Sequence, residues 1–298
     1  MNGNMQKAVG VVISVLIVAA VAQAQDTSQA WNTSLSLDVT ATQTAYSDSW
    51  TGGEAGSFNW VANLNGLAEK QMSAKFNLRS TLKASFGQSM SQDKDTKDWS
   101  KPSKSTDLID WENLGRFTLG GLIDPYTAFR LETQFLDASV DAKKRYLNPM
   151  RLTESAGAAR LLYKKDASNI LSRLGFALRH TISRDIIDTA YNTRTNTATD
   201  GGLESVSDVK WTFSGRLTYT GKLTIYKAFF FSKKDDFAGT PFEDDWTAVD
   251  VNWENIVSAS ITKIVTVNFY AQFLYDKQVS RKGRLKETLG IGFALKLA

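Results

Sequence analysis

The chain carries a single histidine, His180, the first residue to weigh for catalysis. An imidazole moves protons near neutral pH, and with a hydroxyl and a carboxylate in reach it can drive acyl transfer. Ser183 and Asp185 are the nearest such groups in the sequence. Hard oxygen ligands of the kind Ca²⁺ prefers occur in Asp93-Lys94-Asp95-Thr96-Lys97-Asp98, in Asp235-Asp236 and in Glu243-Asp244-Asp245. The first run lacks the turn glycine and distal glutamate of an EF-hand and has lysines that oppose a cation. A solvated loop is therefore the better reading, and no metal site or cofactor is expected. Gly52, Gly53 and Gly56 precede no helix that could aim N–H donors at a phosphate. Cysteine is absent, which removes disulfides and thiolate chemistry. There remains a basic set, Arg160, Arg173, Arg179, Lys210 and Arg216, whose forks and ammonium suit carboxylates or phosphates if one surface gathers them. The net charge of +4 over 298 residues is too small to suggest nucleic acid.

The elements that carry these residues have a period of two, so they are strands, and successive side chains fall on opposite faces. Leu35, Leu37 and Val39 alternate with Ser34, Ser36 and Asp38; Phe76, Leu78 and Leu82 oppose Lys75, Arg79 and Lys83. Ile109, Trp111 and Phe117 oppose Asp110, Glu112 and Arg116; Leu174, Phe176, Leu178 and Ile182 oppose Arg173 and Arg179. About twelve such segments run from Trp31 to Leu297. Two are less regular: residues 156–163 are small, and residues 223–231 are apolar on both faces. Either can hide a bulge or a register shift.

The connections alternate in length. Long polar ones are expected at Tyr46 to Ser57, Gln88 to Thr106, Ala138 to Thr153, Ser183 to Leu203, Ser232 to Asp245 and Asp276 to Arg284. Short ones fall at Glu69 to Ser73, Gly120 to Pro125, Lys164 to Asn169, Thr220 to Lys222 and near Thr262. This is the pattern of outer-membrane barrels, with short periplasmic turns and long outer loops. An open edge in hydrocarbon would strand its N–H and C=O groups at several kcal/mol apiece, so the sheet must close. Aromatics such as Trp60, Phe86 and Trp111 at one side, and Phe117 and Tyr219 at the other, are placed for interfacial girdles. The mean hydropathy of −0.26 fits strands that hide half their residues from lipid. Ahead of the strands, Lys7, an apolar stretch from Ala8 to Val21, and the small residues Ala22 and Ala24 read as a secretory signal over residues 1–24. The expected molecule is an all-β, transmembrane, antiparallel up-and-down barrel over residues 25–298, in the bacterial outer membrane with outer-membrane lipid as its partner.

Several stretches resemble a domain-of-unknown-function family of Bacteroidetes-type outer-membrane barrel proteins. They are WTGGEAGSFNW (50–60), FGQSMSQ (86–92) and STDLIDWENLGRFTLGGLIDPYTAFRLETQFLD (105–137). VNWENIVSASITKIVTVNFYAQFLYDK (251–277) is similar to the closing hairpin of a related barrel family. The resemblance implies the fold and assigns no catalytic or ligand residue. Many outer-membrane barrels end in an aromatic residue; this chain ends Leu297-Ala298, with Phe293 the nearest aromatic.

Placed on strands, the chemistry narrows. A twelve-stranded outer-membrane phospholipase sets a histidine and a serine two residues on along one outer face. Here Ile182 occupies that position, and Ser183 points to the other face, so the chain is expected not to be an enzyme. Lys75, Arg79 and Lys83 are expected to pair with Asp110 and Glu112. Arg160, Arg173, Arg179, Lys210 and Arg216 form a basic lumen wall on three consecutive strands. That wall either binds a small anionic solute or belongs to a space-filling ion network with far-wall acids such as Asp250 and Glu254, and the network is the favoured reading. The expected function is a narrow channel or scaffold; a lipid hydrolase using His180 and a loop-based adhesion platform are the alternatives.

Overall fold

The computed structural model describes residues 30–47 and 54–296. The signal segment expected over residues 1–24 lies outside the described residues. The elements are almost wholly strands: β1 (Asn32–Thr44), β2 (Ser57–Ser73), β3 (Phe76–Ser91), β4 (Ser103–Phe117), β5 (Asp124–Thr133), β6 (Leu136–Asp137), β7 (Arg145–Tyr146), β8 (Met150–Lys165), β9 (Ser168–Ile186), β10 (Thr193–Thr212), β11 (Leu217–Phe231), β12 (Val249–Ser260), β13 (Val265–Asp276) and β14 (Ser280–Lys296). β6 and β7 pair only with each other, inside the connection between β5 and β8. The other twelve pair antiparallel with their chain neighbours, and β1 meets β14 to close the barrel.

Closure satisfies the ladder, and the alternation expected from sequence is realised in the burial of the rows. Along β9, Leu171, Arg173, Gly175, Ala177 and Arg179 are buried in the lumen, whereas Leu174, Phe176 and Leu178 are exposed. The outer surface is apolar to a degree that water would not tolerate: Phe176 is 68% exposed and Leu289 69%. Among the described residues no helix is long and apolar enough to cross a membrane, so crossing is by strands. Aromatic side chains pack on the outward face, with Trp60 against Phe86 at 6.0 Å toward one end and Tyr163 stacked on Trp211 at 4.9 Å toward the other. A closed barrel with an apolar belt and aromatic girdles is an integral outer-membrane protein. Trp111, expected at a rim, stands at mid-strand, where its indole N–H donates to Ser80 Oγ at 3.0 Å.

Three local features depart from the sequence reading. The turn between β10 and β11 is residues 213–216, not Thr220 to Lys222. Ser214-Gly215 reverses the chain, and Thr220, Gly221 and Lys222 continue the strand. The region expected as a loop from Ser183 to Leu203 is mostly ladder: β9 and β10 pair from Ile186 with Thr193 down to Asn169 with Lys210, leaving residues 187–192 as the tip. Likewise β13 and β14 are joined through residues 277–279 alone. Both irregular segments contain a register shift, one between Leu161 and Tyr163 and one between Gly201 and Gly202 opposite β11. Gly202 is required there, because a Cβ would sit 1.9 Å from the Lys227 carbonyl oxygen.

Candidate functional site: the lumen and its outer mouth

Small residues make the room in the lumen and long polar ones fill it. Gly157 and Ala159 of β8 pair with Gly175 and Arg173 of β9, and this low wall lets Tyr126, Arg173 and Tyr226 lie across the bore, all nearly buried. The Arg173 side chain is 1% exposed. It reaches Glu112 on β4 at 2.6 Å and Asp208 on β10 at 3.3 Å, and stacks over the Tyr126 ring at 5.6 Å. Lys222 of β11 meets the other Glu112 oxygen at 2.7 Å, and Arg79 of β3 meets Asp208 at 3.3 Å. Charges from five strands thus meet at one level.

A second tier surrounds this centre. Arg130 grips Asp110 with two bonds, at 2.8 and 2.9 Å, and touches Glu132 at 3.0 Å. Lys83 crosses to Glu254 at 3.1 Å. Toward the outer mouth, Arg179 binds Asp200 at 2.7 Å and Asp250 at 2.9 Å, and its guanidinium lies 3.5 Å from the Tyr226 ring centre. Tyr226 in turn donates to Asp200 at 2.6 Å. A lumen cavity lined by Glu112, Arg130, Thr153, Ser155, Glu204 and Lys222 has a volume of about 10 Å³, room for a single water.

The outer mouth is covered. The connection from β11 to β12, residues 232–248, folds over the opening through two short 3₁₀ turns, Lys234–Phe237 and Asp245–Thr247. Trp246 packs against Ala177, Tyr226 and Ala228, all inward residues, and stacks on Phe231 at 6.4 Å. Beside it, Asp245 is buried and pairs with Lys277 at 3.0 Å and Arg281 at 3.2 Å, at the next hairpin. Arg281 also donates to the Pro241 carbonyl and lies over the Phe242 ring. Burial works against the Asp245 carboxylate, but hydrogen bonds from Lys277 and Arg281 outweigh it and hold its pKa below the ordinary aspartate value.

The five basic residues named from sequence do not share a wall. Arg173 and Arg179 are in the lumen, each engaged by two carboxylates. Lys210 is on the inward row opposite Asn169, exposed at the short-turn rim. Arg216 is in the exposed turn, a consequence of the shifted reversal. Arg160 is on the outward face: it pairs with Ser172, whose neighbours Leu171 and Arg173 point inward. The bulge at Leu162 explains the misreading, since it puts Arg160 and Lys164, both even-numbered, on opposite faces. The expected pairing of Lys75, Arg79 and Lys83 with Asp110 and Glu112 is replaced by longer reaches, Arg79 to Asp208 and Lys83 to Glu254. Far-wall pairing with Asp250 and Glu254 is present.

Sequence reasoning missed Lys222 and Asp200, both assigned to connections, Asp245, assigned to a solvated loop, and Trp246, to which it gave no role. The alternation of Lys222, Thr224, Tyr226 and Ala228 against Leu223, Ile225 and Phe229 was the available signal for Lys222. Asp93 caps its own turn by accepting from the Asp95 and Thr96 backbone N–H groups at 2.9 and 2.8 Å. No metal-binding cluster occurs among the described residues. His180 points outward, and its Nδ1 lies 3.0 Å from Thr199 Oγ1.

Residues 41–138 match the family described as Protein of unknown function (DUF3078). No curated protein matches the chain. Among solved structures, the chain is similar to the COG4313 outer membrane channel from Pseudomonas putida F1, with 10% identity, coverage of 89% of this chain and 94% of that one, and a TM-score of 0.43. It is also similar to the translocator domain of the autotransporter NalP from Neisseria meningitidis, with 9% identity, 97% coverage of both chains and a TM-score of 0.36. The NanC porin shares 8% identity over 87% of this chain and 98% of its own, with a TM-score of 0.36.

Proposed function

We propose that this chain is a narrow outer-membrane conduit for small solutes, held shut in the present conformation by an ion-paired waist and a latched outer cap. The observation that carries the reading is Glu112, which receives Arg173 and Lys222 from two other strands across the bore. A rigid scaffold needs only a packed interior. The cap is seated by side chains rather than by the barrel's ladder, namely Trp246 and Phe237 on Phe231, Lys227 on the Thr247 carbonyl, and Lys277 and Arg281 on Asp245, so it is a removable part. Arg173 and Arg179 are each paired with two acids, and the buried Asp110, Glu204 and Glu254 add further negative charge, so the lumen carries no strong anion preference. Small solutes of either sign would pass once the waist parts.

Single-channel recording in planar bilayers tests this. The wild type should stay mostly closed, and a Trp246→Ala, Glu112→Gln double variant should open frequently with weak ion selectivity. A double variant that folds as a barrel yet conducts nothing would make the molecule a scaffold. Marked anion selectivity that inverts on charge reversal at Arg173 and Arg179 would restore the basic-wall reading.

A second reading, lipid hydrolysis at the outer face, has the His180–Thr199 pair in its favour. It needs a third group to orient the imidazole. Phospholipid hydrolysis lost on His180→Ala would establish it, and hydrolysis unchanged from background in both proteins would remove it.

A further inference from the structure

We infer that Arg160 forms the centre of a phospholipid headgroup site on the outward face of the barrel, at the leaflet facing the short turns. Arg160 is exposed, and among the described residues no carboxylate lies within ion-pair distance of it. A bare cation on a lipid-facing strand costs roughly 2–4 kcal/mol at the bilayer midplane and close to nothing at the interface. Its position must therefore be interfacial, and the neighbouring elements place it there. β5 begins at Asp124 opposite Ala159, so Arg160 lies one residue beyond the point where that strand leaves the sheet. The exposed apolar residues Leu122 and Ile123 of the adjoining turn stand at that edge. Tyr163 and Trp211, stacked in the girdle, mark the same end of the barrel.

Two further groups complete the site. Ser172 is the cross-strand partner of Arg160, and its Oγ lies 2.9 Å from Ser207 Oγ on β10. Of two hydroxyls sharing one bond, one keeps a free proton to donate. A guanidinium fork and a hydroxyl side by side match a phosphodiester's oxygens, and the side chain can extend toward the headgroups while its stem stays in hydrocarbon. Leu174, exposed on the hydrocarbon side of Arg160 and Ser172, suits the start of an acyl chain. No interior group competes for the arginine, because the unbroken register from Met150 to Leu161 sets Arg160 opposite the outward Ser172, on the lipid side.

The test uses the full barrel in detergent micelles, with bound lipid counted by native mass spectrometry. Phosphatidylglycerol should be retained by the wild type. Retention should fall about tenfold in Arg160→Ala, the size of one charge-assisted contact, and less in Arg160→Lys, which keeps the charge without the fork. Arg194→Ala, on an exposed segment of β10 far from this edge, should retain lipid normally. Diacylglycerol, with the same chains and no phosphate, should show no dependence on Arg160. Equal retention by wild type and Arg160→Ala overturns the proposal, as does Arg160-dependent retention of diacylglycerol. Displacement of the lipid by millimolar inorganic phosphate would make it a free-phosphate site and overturn the assignment to lipid.

Discussion

Arg173 shows how much one side chain carries in a filled bore. Two carboxylates and a tyrosine ring surround it, and it is the most deeply buried large side chain among the described residues. Burying such a group is costly, and the pairs around it roughly offset that cost, so the network as a whole need not stabilise the barrel. Removing one member is different. Arg173→Ala leaves the buried Glu112 with Lys222 alone and the half-buried Asp208 with Arg79 alone, and should lower unfolding free energy by about 3–5 kcal/mol, most of it from Glu112. Denaturant titration in detergent measures this. Arg173→Lys should recover only part of the loss: one ammonium can stand in for the Nη2 that meets both carboxylates, but it loses the planar guanidinium's stacking over Tyr126. If Arg173→Ala costs under about 1 kcal/mol, the bore is wetter than this packing allows.

At the scale of elements, the cap formed by residues 232–248 depends on pH through Asp245. Its pKa lies below that of a free aspartate, about 3.9, so its contribution to closure is complete above that value and lost as pH falls through the folded value. Fluorine NMR of a 5-fluorotryptophan at position 246 should report a seated ring at neutral pH and a released one in acid. Asp245→Asn should remove that pH dependence. Backbone space sets a second element-scale limit. A Cβ at Gly175 would lie 2.3 Å from the Ala156 carbonyl oxygen and 2.7 Å from the Tyr126 hydroxyl, so Gly175→Ala should cost about 1–3 kcal/mol by pushing β8 and β9 apart. Thermal melts followed by gel mobility would show it. This is also the scale at which the sequence stopped being legible. Strand faces were readable wherever charge alternates with bulk, as in β4 and β9, because the two faces meet different solvents. Residues 156–159 are Ala, Gly, Ala and Ala, which mark neither face, so nothing in the types beside it revealed that Arg160 faces lipid. Ser214-Gly215 and Thr220-Gly221 are equally good turn candidates, and cross-strand pairing of Lys222 with Glu254 and Asp208 decides between them only in three dimensions. The cap was illegible for a related reason: Asp245 gains its partners from a hairpin thirty-odd residues on, and local composition carries no trace of that.

Across the whole molecule, the strength of closure varies around the barrel. β9 and β10 pair over eighteen positions, from Thr193 to Lys210 on β10. Among the described residues β1 and β14 pair over five, from Ser36 with Lys296 to Thr40 with Gly292. A seam that short in hydrocarbon puts several backbone groups close to exposure, where each unsatisfied one costs several kcal/mol. Side chains reinforce it from inside. Asp38 of β1 accepts from Thr266 Oγ1 at 3.2 Å and Asn268 Nδ2 at 3.1 Å, both on β13, so it reaches over β14 entirely. It can do so because the inward row of β14 at that level is Gly290 and Gly292; a Cβ at Gly290 would lie 2.6 Å from the Thr40 methyl, and one at Gly292 2.6 Å from the Val39 carbonyl oxygen. The seam is thus a three-strand strap rather than a single ladder. Local opening follows the least-supported ladder, so hydrogen exchange should be fastest at the amides of residues 36–40 and slowest across β9 and β10. Asp38→Ala should raise exchange further at the seam and at Thr266 and Asn268, leaving β9 and β10 unchanged, whereas Asp38→Asn keeps an acceptor and should hold most of the protection. Uniform acceleration around the barrel in Asp38→Ala would mean that the strands open together and that closure has no weak point.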